Sequence, residues 1–257
     1  MPRIALVSYI NTRPFIDGFE KFFPDGKVAF DLMPPADCAR SLYQGTSDMA
    51  LIPVGALPNF QHIYLHPEFC IGANGPVKSV YLFARQPVEN LTEVRLDPHS
   101  RSSNGLTRIL MKYHWQREVH YHLPEIRDFS FIQGNTGGVV IGDEAIKLRD
   151  RFEYAYDLSD HWRKLTGLPF AFAVWAYRPG IFSPSLMQQL TNAMEWGVKQ
   201  ADQSANKWAR HYDIALPFAE KYLTQYIDYQ FDAQKHEALA LYQKALYNSP
   251  QISLQRV

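Results

Sequence analysis

The sequence is short of the residues that cross-link, anchor or strongly charge a chain. Its 257 residues hold two cysteines, Cys38 and Cys70, too few for a disulfide framework or a four-cysteine zinc site, and both read as packed thiols. Neither sign of charge is in excess, with 26 Lys and Arg against 26 Asp and Glu. No broad basic field exists to hold a phosphate backbone, so no nucleic-acid partner is expected. No apolar run approaches the ~18 residues of a membrane span. The N-terminal MPRIALVSYI lacks the charged region, long apolar stretch and cleavage site of an export signal. The expectation is a cytoplasmic protein with no membrane partner. Phosphate-binding glycine loops, the Rossmann glycine run and the G-x-S-x-G elbow are also missing. His120 and His122 share a face of an expected strand and His114 precedes them, but no third ligand is recognisable, so neither metal nor cofactor is expected.

What is present is a regular succession of apolar segments. Residues 4–8 form a continuous apolar run, too short for a helix and typical of a buried parallel strand. Pro14 opens a helix whose Phe15, Ile16, Phe19, Phe22 and Phe23 recur at helical spacing. A strand over 28–33, a helix over 36–44 stopped by Gly45, and a strand over 48–54 complete a doubly wound α/β start. Further strands are predicted at 77–84, 94–97, 119–122, 129–132, 139–142 and Phe170–Tyr177, and a helix over 102–115. Helices follow from Ser183-Pro184 and from Asp232, and the tyrosines of this tail, Tyr222, Tyr226, Tyr229 and Tyr242, read as packing. Arg85-Gln86-Pro87 and Arg178-Pro179-Gly180 read as punctuation between lobes. The expected organisation is a discontinuous first lobe, 1–85 plus 178–257, with a second lobe, 86–177, inserted into it. Such a clamshell takes its ligand in the cleft, at the C-terminal ends of strands.

Several segments, in order, resemble chorismate dehydratase of the futalosine route to menaquinone. They are Val7-Ser8-Tyr9-Ile10-Asn11-Thr12-Arg13-Pro14-Phe15, Gly45-x-x-Asp48-x-Ala50-Leu51-Ile52-Pro53-Val54, Cys70-Ile71-Gly72 and Val77-x-Ser79-Val80. The second half continues with Leu96-Asp97-x-x-Ser100-Arg101-Ser102-Ser103, Ile141-Gly142-Asp143-x-Ala145, Tyr156-Asp157-Leu158-x-x-x-Trp162 and Thr166-Gly167-Leu168-Pro169-Phe170-x-Phe172-Ala173-x-Trp175. The resemblance implies a fold like type II periplasmic binding proteins. It also implies a lyase that removes water from chorismate to give 3-[(1-carboxyvinyl)oxy]benzoate. A sister family with this fold makes 1,4-dihydroxy-6-naphthoate and carries a histidine base after the strand matching Val139-Val140-Ile141. Here Gly142 stands at that position, followed by Asp143, which favours the dehydratase. Ser102 replaces a frequent Thr, Asn104 a frequent Val, and Gly137-Gly138 a frequent Asp-Ala, the last expected to alter the cleft rim. A non-catalytic small-anion-binding protein of the same shape is the alternative class.

Chorismate carries two carboxylates, and helix N-termini hold anions through unpaired N–H groups and the macrodipole. Two helix starts are candidates, one at Asn11-Thr12-Arg13-Pro14 and one at Ser100-Arg101-Ser102-Ser103. Ser102 and Ser103 are expected to bind one carboxylate, with capping of their own helix as the alternative. Asn11 and Thr12 are expected at the other end of the ring. Arg101 either forks a carboxylate or ties its loop to Asp97 or Asp143. Within the resemblance, Asn11 orients the leaving hydroxyl or the enolpyruvyl arm and Ser79 binds a carboxylate. Tyr9, Pro53, Ser100 and Gly142 join the substrate-binding set, and Trp175 is a candidate to close over the ring. The proton is taken either by Asp143 or by the substrate's own enolpyruvyl carboxylate.

Overall fold

The computed structural model describes residues 1–247. In chain order the elements are β1 (Arg3–Val7), α1 (Arg13–Phe22), β2 (Ala29–Met33), α2 (Pro35–Gln44), β3 (Met49–Pro53), β4 (Tyr64–Ala73), β5 (Val80–Ala84), β6 (Glu93–Arg95), α3 (Arg101–Tyr113), β7 (His120–His122) and β8 (Thr136–Ile141). Then follow α4 (Asp143–Leu148), β9 (Tyr154–Asp157), α5 (Leu158–Thr166), β10 (Phe170–Tyr177), α6 (Pro184–Lys199), α7 (Ala201–Trp208), α8 (Leu216–Lys221), β11 (Asp228–Gln230) and α9 (Ala233–Tyr247). A π turn, Tyr222–Tyr226, joins α8 to β11.

Two mixed sheets define two lobes. The first has the order β11-β4-β10-β3-β1-β2 and the second β7-β6-β8-β5-β9. In the first, β1 runs parallel to β2 and β3, while β10 pairs antiparallel with both β3 and β4. In the second, β6 runs parallel to β7 and β8, and β5 pairs antiparallel with β8 and β9. The expected α/β clamshell with a discontinuous first lobe matches this layout.

The lobe boundaries move, however. β5 belongs to the second sheet and β10 to the first, so the chain crosses over 74–79 and again over 167–169, not at 85 and 178. The reason lies in burial. The continuous apolar run FAFAVWAY is buried almost throughout, and the slot between β3 and β4 covers both its edges. The Pro and Gly punctuation marks the ends of β5 and β10 instead. Residues 248–257 of the expected first lobe lie outside the described residues.

Two further strand expectations change. β4 was not foreseen, because its first half is mostly exposed, with His66 alone buried, and carries a polar, His- and Pro-containing sequence without strand alternation. Residues 129–132 form no strand but a turn, in which Ile132 N–H donates to Phe129 O at 3.1 Å. Ile132 packs where a Cβ on Gly138 would stand, 2.6 Å from its Cδ1. The Gly137-Gly138 pair therefore serves packing inside the second lobe and not the cleft rim.

The core of the first lobe holds Trp175, fully buried, with its ring edge-on to Phe15 at 5.5 Å and to Phe19 at 5.7 Å. The chain after α8 returns to this lobe as β11, on the edge of β4. Lys235 of α9 pins that return through ion pairs to Asp228 at 2.5 Å and Asp232 at 3.2 Å. Cys38 and Cys70 are both buried and free.

Candidate active site

The cleft between the lobes holds a cavity of about 60 Å³. Its walls come from the C-terminal ends of β1, β3 and β8, from the crossing segment before β5, and from the start of α3. That is where an open α/β sheet exposes loops free to diverge from the strand pattern. Asn11, Ser79, Tyr9, Pro53, Ser100, Ser102, Ser103 and Gly142 all line it, together with Phe172 of β10. Thr12, Arg101, Asp143 and Trp175 are not among the lining residues. Trp175 faces the core described above and does not cover the cleft.

The start of α3 is capped by its own side chain: Ser100 Oγ accepts the Ser103 N–H at 3.1 Å. Ser102 is also committed, since its hydroxyl donates to Phe172 O at 2.7 Å and accepts from Gly55 N–H at 3.2 Å. It joins the helix to the first lobe, where Gly55 comes so close that a Cβ there would stand 2.9 Å from Ser102 N. Tyr242 of α9 adds a bond from its hydroxyl to Ser102 O at 3.0 Å. Ser103 differs. Its carbonyl accepts from Thr107 Oγ1 at 2.8 Å, but among the described residues its hydroxyl makes no hydrogen bond and it faces the cleft.

The other helix start is spent internally. A 3-10 turn, Ile10–Thr12, precedes α1, and no side chain caps either segment. The Ile10 N–H donates to Asp143 Oδ1 at 3.2 Å, so a protein carboxylate already occupies this terminus. Burial pushes the Asp143 carboxyl up to about 7, against the opposing pull of the Ile10 N–H. Arg101 ties to neither aspartate. Asp97 pairs instead with Arg127 at 2.6 Å, and Arg127 also donates to Ile141 O at 2.9 Å, bracing the end of β8 from behind.

Tyr9 crosses the gap between the lobes. A Cβ on Gly142 would stand 2.8 Å from its ring, and Gly142 holds φ 71 and ψ −150, a conformation essentially confined to glycine. A histidine at this position would have neither the backbone nor the room. The Tyr9 hydroxyl is buried without a partner among the described residues, and burial pushes its pKa upward, so it stays a neutral donor.

Asn11 and Ser79 are joined by a residue that the sequence reading assigned to packing. Tyr222, fully buried in the π turn, donates its hydroxyl proton to Ser79 Oγ at 2.8 Å and accepts from Asn11 Nδ2 at 3.3 Å. Thr12 donates to Asn11 Oδ1 at 3.2 Å, and Tyr229 donates to Asn11 O at 3.0 Å. Thr12 is thus a buried support of Asn11 and not a ligand-facing group. No local pattern reveals the tyrosines, since Tyr222 and Asn11 are 211 positions apart in the chain.

Among the described residues no group of three His, Cys, Asp or Glu could hold a metal ion. His114 bonds to His161 at 2.9 Å away from the cleft, and His120 and His122 are exposed. The cleft wall contains no carboxylate, imidazole, ammonium or guanidinium group among the lining residues. Its polar equipment is hydroxyls, one amide and the N-terminus of the thirteen-residue α3.

Residues 2–248 match a family described as "Menaquinone biosynthesis". The chain is 31% identical over 209 residues to a chorismate dehydratase of Thermus thermophilus, covering 74% of this chain and 76% of that one. It is 25% identical over 246 residues to a chorismate dehydratase of Campylobacter jejuni, covering 93% and 95%. Among solved structures, a structural-genomics protein of Archaeoglobus fulgidus superposes with a TM-score of 0.70 at 14% identity, covering 95% and 94%. The alkanesulfonate-binding protein of Xanthomonas axonopodis pv. citri gives 0.69 at 12%, covering 96% and 92%. These last two show the fold, that of periplasmic binding proteins.

Proposed function

The chain belongs to the menaquinone-biosynthesis family of chorismate dehydratases, and from that premise we propose how its cleft removes water from chorismate. The reaction is a hydro-lyase step giving 3-[(1-carboxyvinyl)oxy]benzoate. The C–H bond at the ring carbon bearing the enolpyruvyl ether breaks, and its electron pair enters the ring diene conjugated with the ring carboxylate. The pair then forms the last aromatic double bond as the neighbouring C–O bond breaks. The departing hydroxide takes up the proton, so one water leaves and nothing is oxidised or reduced.

The observation that carries this reading is a largely apolar cleft whose few polar side chains are neutral hydrogen-bonding groups, without a basic side chain on its wall. Neutral donors at the Ser103 hydroxyl, the Ser79 hydroxyl, the Asn11 amide and the Tyr9 hydroxyl, with the α3 N-terminus, suit a dianion. Fixed dipoles also stabilise charge as it spreads onto the ring carboxylate. With no side-chain base lining the cleft, the enolpyruvyl carboxylate of the substrate takes the proton, and the protein supplies position and field. Asp143 is the weaker candidate: one of its oxygens already accepts the Ile10 N–H, and it stands behind Gly142. The protein works in the cytoplasm on this reading, with no metal or cofactor.

Incubation of the purified protein with chorismate, followed by mass spectrometry, tests the assignment. The expected product is an aromatic enol ether lighter than chorismate by one water. Recovery of unchanged chorismate would sink the assignment and favour a binding protein, whereas turnover of cyclic dehypoxanthinyl futalosine would favour the sister enzyme.

A further inference from the structure

We propose that Tyr222 is a positioning residue that fixes the Ser79 hydroxyl, and with it the Asn11 amide, as donors aimed into the cleft. The inference rests on the dehydratase reading above and deepens it. A serine hydroxyl has one proton and two lone pairs, and a free rotor presents either to a ligand. Ser79 Oγ accepts the Tyr222 proton at 2.8 Å and makes no other side-chain hydrogen bond among the described residues. Its own proton is therefore directed away from Tyr222, and Ser79 lines the cleft.

The direction of the Tyr222 proton is itself fixed. Its oxygen accepts from Asn11 Nδ2 at 3.3 Å, leaving the O–H to point at Ser79. The Asn11 amide is oriented with its Oδ1 toward the fully buried Thr12 Oγ1, which donates to it at 3.2 Å. Thr12, Asn11, Tyr222 and Ser79 thus form one relay in which every proton points the same way along it, from Thr12 to Ser79. Each bond polarises the next, which strengthens the terminal donor. The second proton of Asn11 Nδ2 is left for the cleft as well. Two donors so fixed suit an oxygen that gains negative charge during the reaction, either a carboxylate oxygen or the departing hydroxyl.

The local backbone is consistent with this task. Tyr222 opens a π turn, a departure from α geometry that often marks functional positions. The phenol is buried from water, so the relay has no competing solvent partner, and burial holds its pKa above the usual tyrosine range.

A double-mutant cycle tests the proposal. In the parental background, Tyr222→Phe should lower kcat about 10- to 100-fold, less than or equal to loss of the whole donor, with KM changed by no more than about twofold. In a Ser79→Ala background the same substitution should lower kcat clearly less than in the parental background, because the Ser79 donor is gone and only the hold of Tyr222 on Asn11 remains. A full, additive loss in the Ser79→Ala background overturns the proposal and makes Tyr222 a structural tyrosine. If Tyr222→Phe does not fold, Thr12→Val breaks the relay at its start. It should lower kcat severalfold in the parental background and not in Asn11→Ala, and additivity there overturns the proposal equally. A parental protein that leaves chorismate unchanged rejects the dehydratase reading. Turnover by the parental protein with additive mutants rejects only the role of Tyr222.

Discussion

The two helix starts that flank the cleft look alike in sequence and behave differently in the fold. Each follows a strand and begins with small polar residues, and each presents a macrodipole that attracts anions. At α1 the first free N–H, that of Ile10, is taken by the buried carboxylate of Asp143, and Thr12 turns inward to Asn11. At α3 the hydroxyls of Ser100 and Ser102 are consumed by the cap and by the first lobe, while Ser103 keeps a hydroxyl for the cleft. One terminus is a joint between lobes, and the other is part of the cleft wall. A helix start becomes an anion site only to the extent that the protein leaves its donors unspent.

Substitutions can break or sharpen that contrast. The largest effect is expected from the groups served by the relay: Asn11→Ala or Ser79→Ala should each reduce kcat about 100-fold or more, with circular dichroism and melting close to parental. Near-parental turnover in both would remove them from the chemistry. A smaller effect is expected at the α3 terminus. Ser103→Ala should raise KM about tenfold, the usual weight of a hydrogen bond to a charged group, and leave kcat within a few-fold; an unchanged KM would put the carboxylate elsewhere.

The smallest effect on activity is expected at the joint. Asp143→Asn keeps an oxygen for the Ile10 N–H and should leave turnover within about threefold, whereas loss of turnover would make Asp143 the base. Its signature lies in stability. The carboxyl is held at about 7 in the fold against an ordinary value of 3.8, so the folded state retains a proton that the unfolded chain gives up. Parental stability should therefore fall as pH rises from about 4 to 7 and level off above that. The Asn variant should lack this slope, and its advantage over the parent in chemical denaturation should grow across the same window.

Much of the fold was legible because its signals are local. β10 was readable to the residue, since eight successive apolar side chains admit little else, and α1 followed from Pro14 and the spacing of its phenylalanines. β4 was not legible, because a strand that is half exposed and carries His66 and Pro67 has no periodic signature. The lobe boundaries were misread for a related reason: Pro87 and Pro179 end strands, and nothing in their chemistry tells a strand end from a lobe crossing. The family blocks pointed to Asn11, Ser79 and Ser103, and the fold brings these three to the cleft wall. Trp175 and Thr12 were misjudged, because an aromatic ring or a hydroxyl near a motif carries no mark of which way it faces.

The sequence by itself determined most of the elements, the family and the residue types at the cleft, since hydrophobic period and motif order are properties of neighbours along the chain. Only the tertiary structure decided which donors remain free. Tyr222, Tyr229 and Tyr242 come from a tail that reads as packing, yet their hydroxyls hold Ser79, Asn11 and Ser102 across separations of 143, 218 and 140 positions. A hydroxyl proton can satisfy one acceptor at a time. Which acceptor it meets depends on the folding of distant segments to within about 3 Å, and no local pattern encodes that distance.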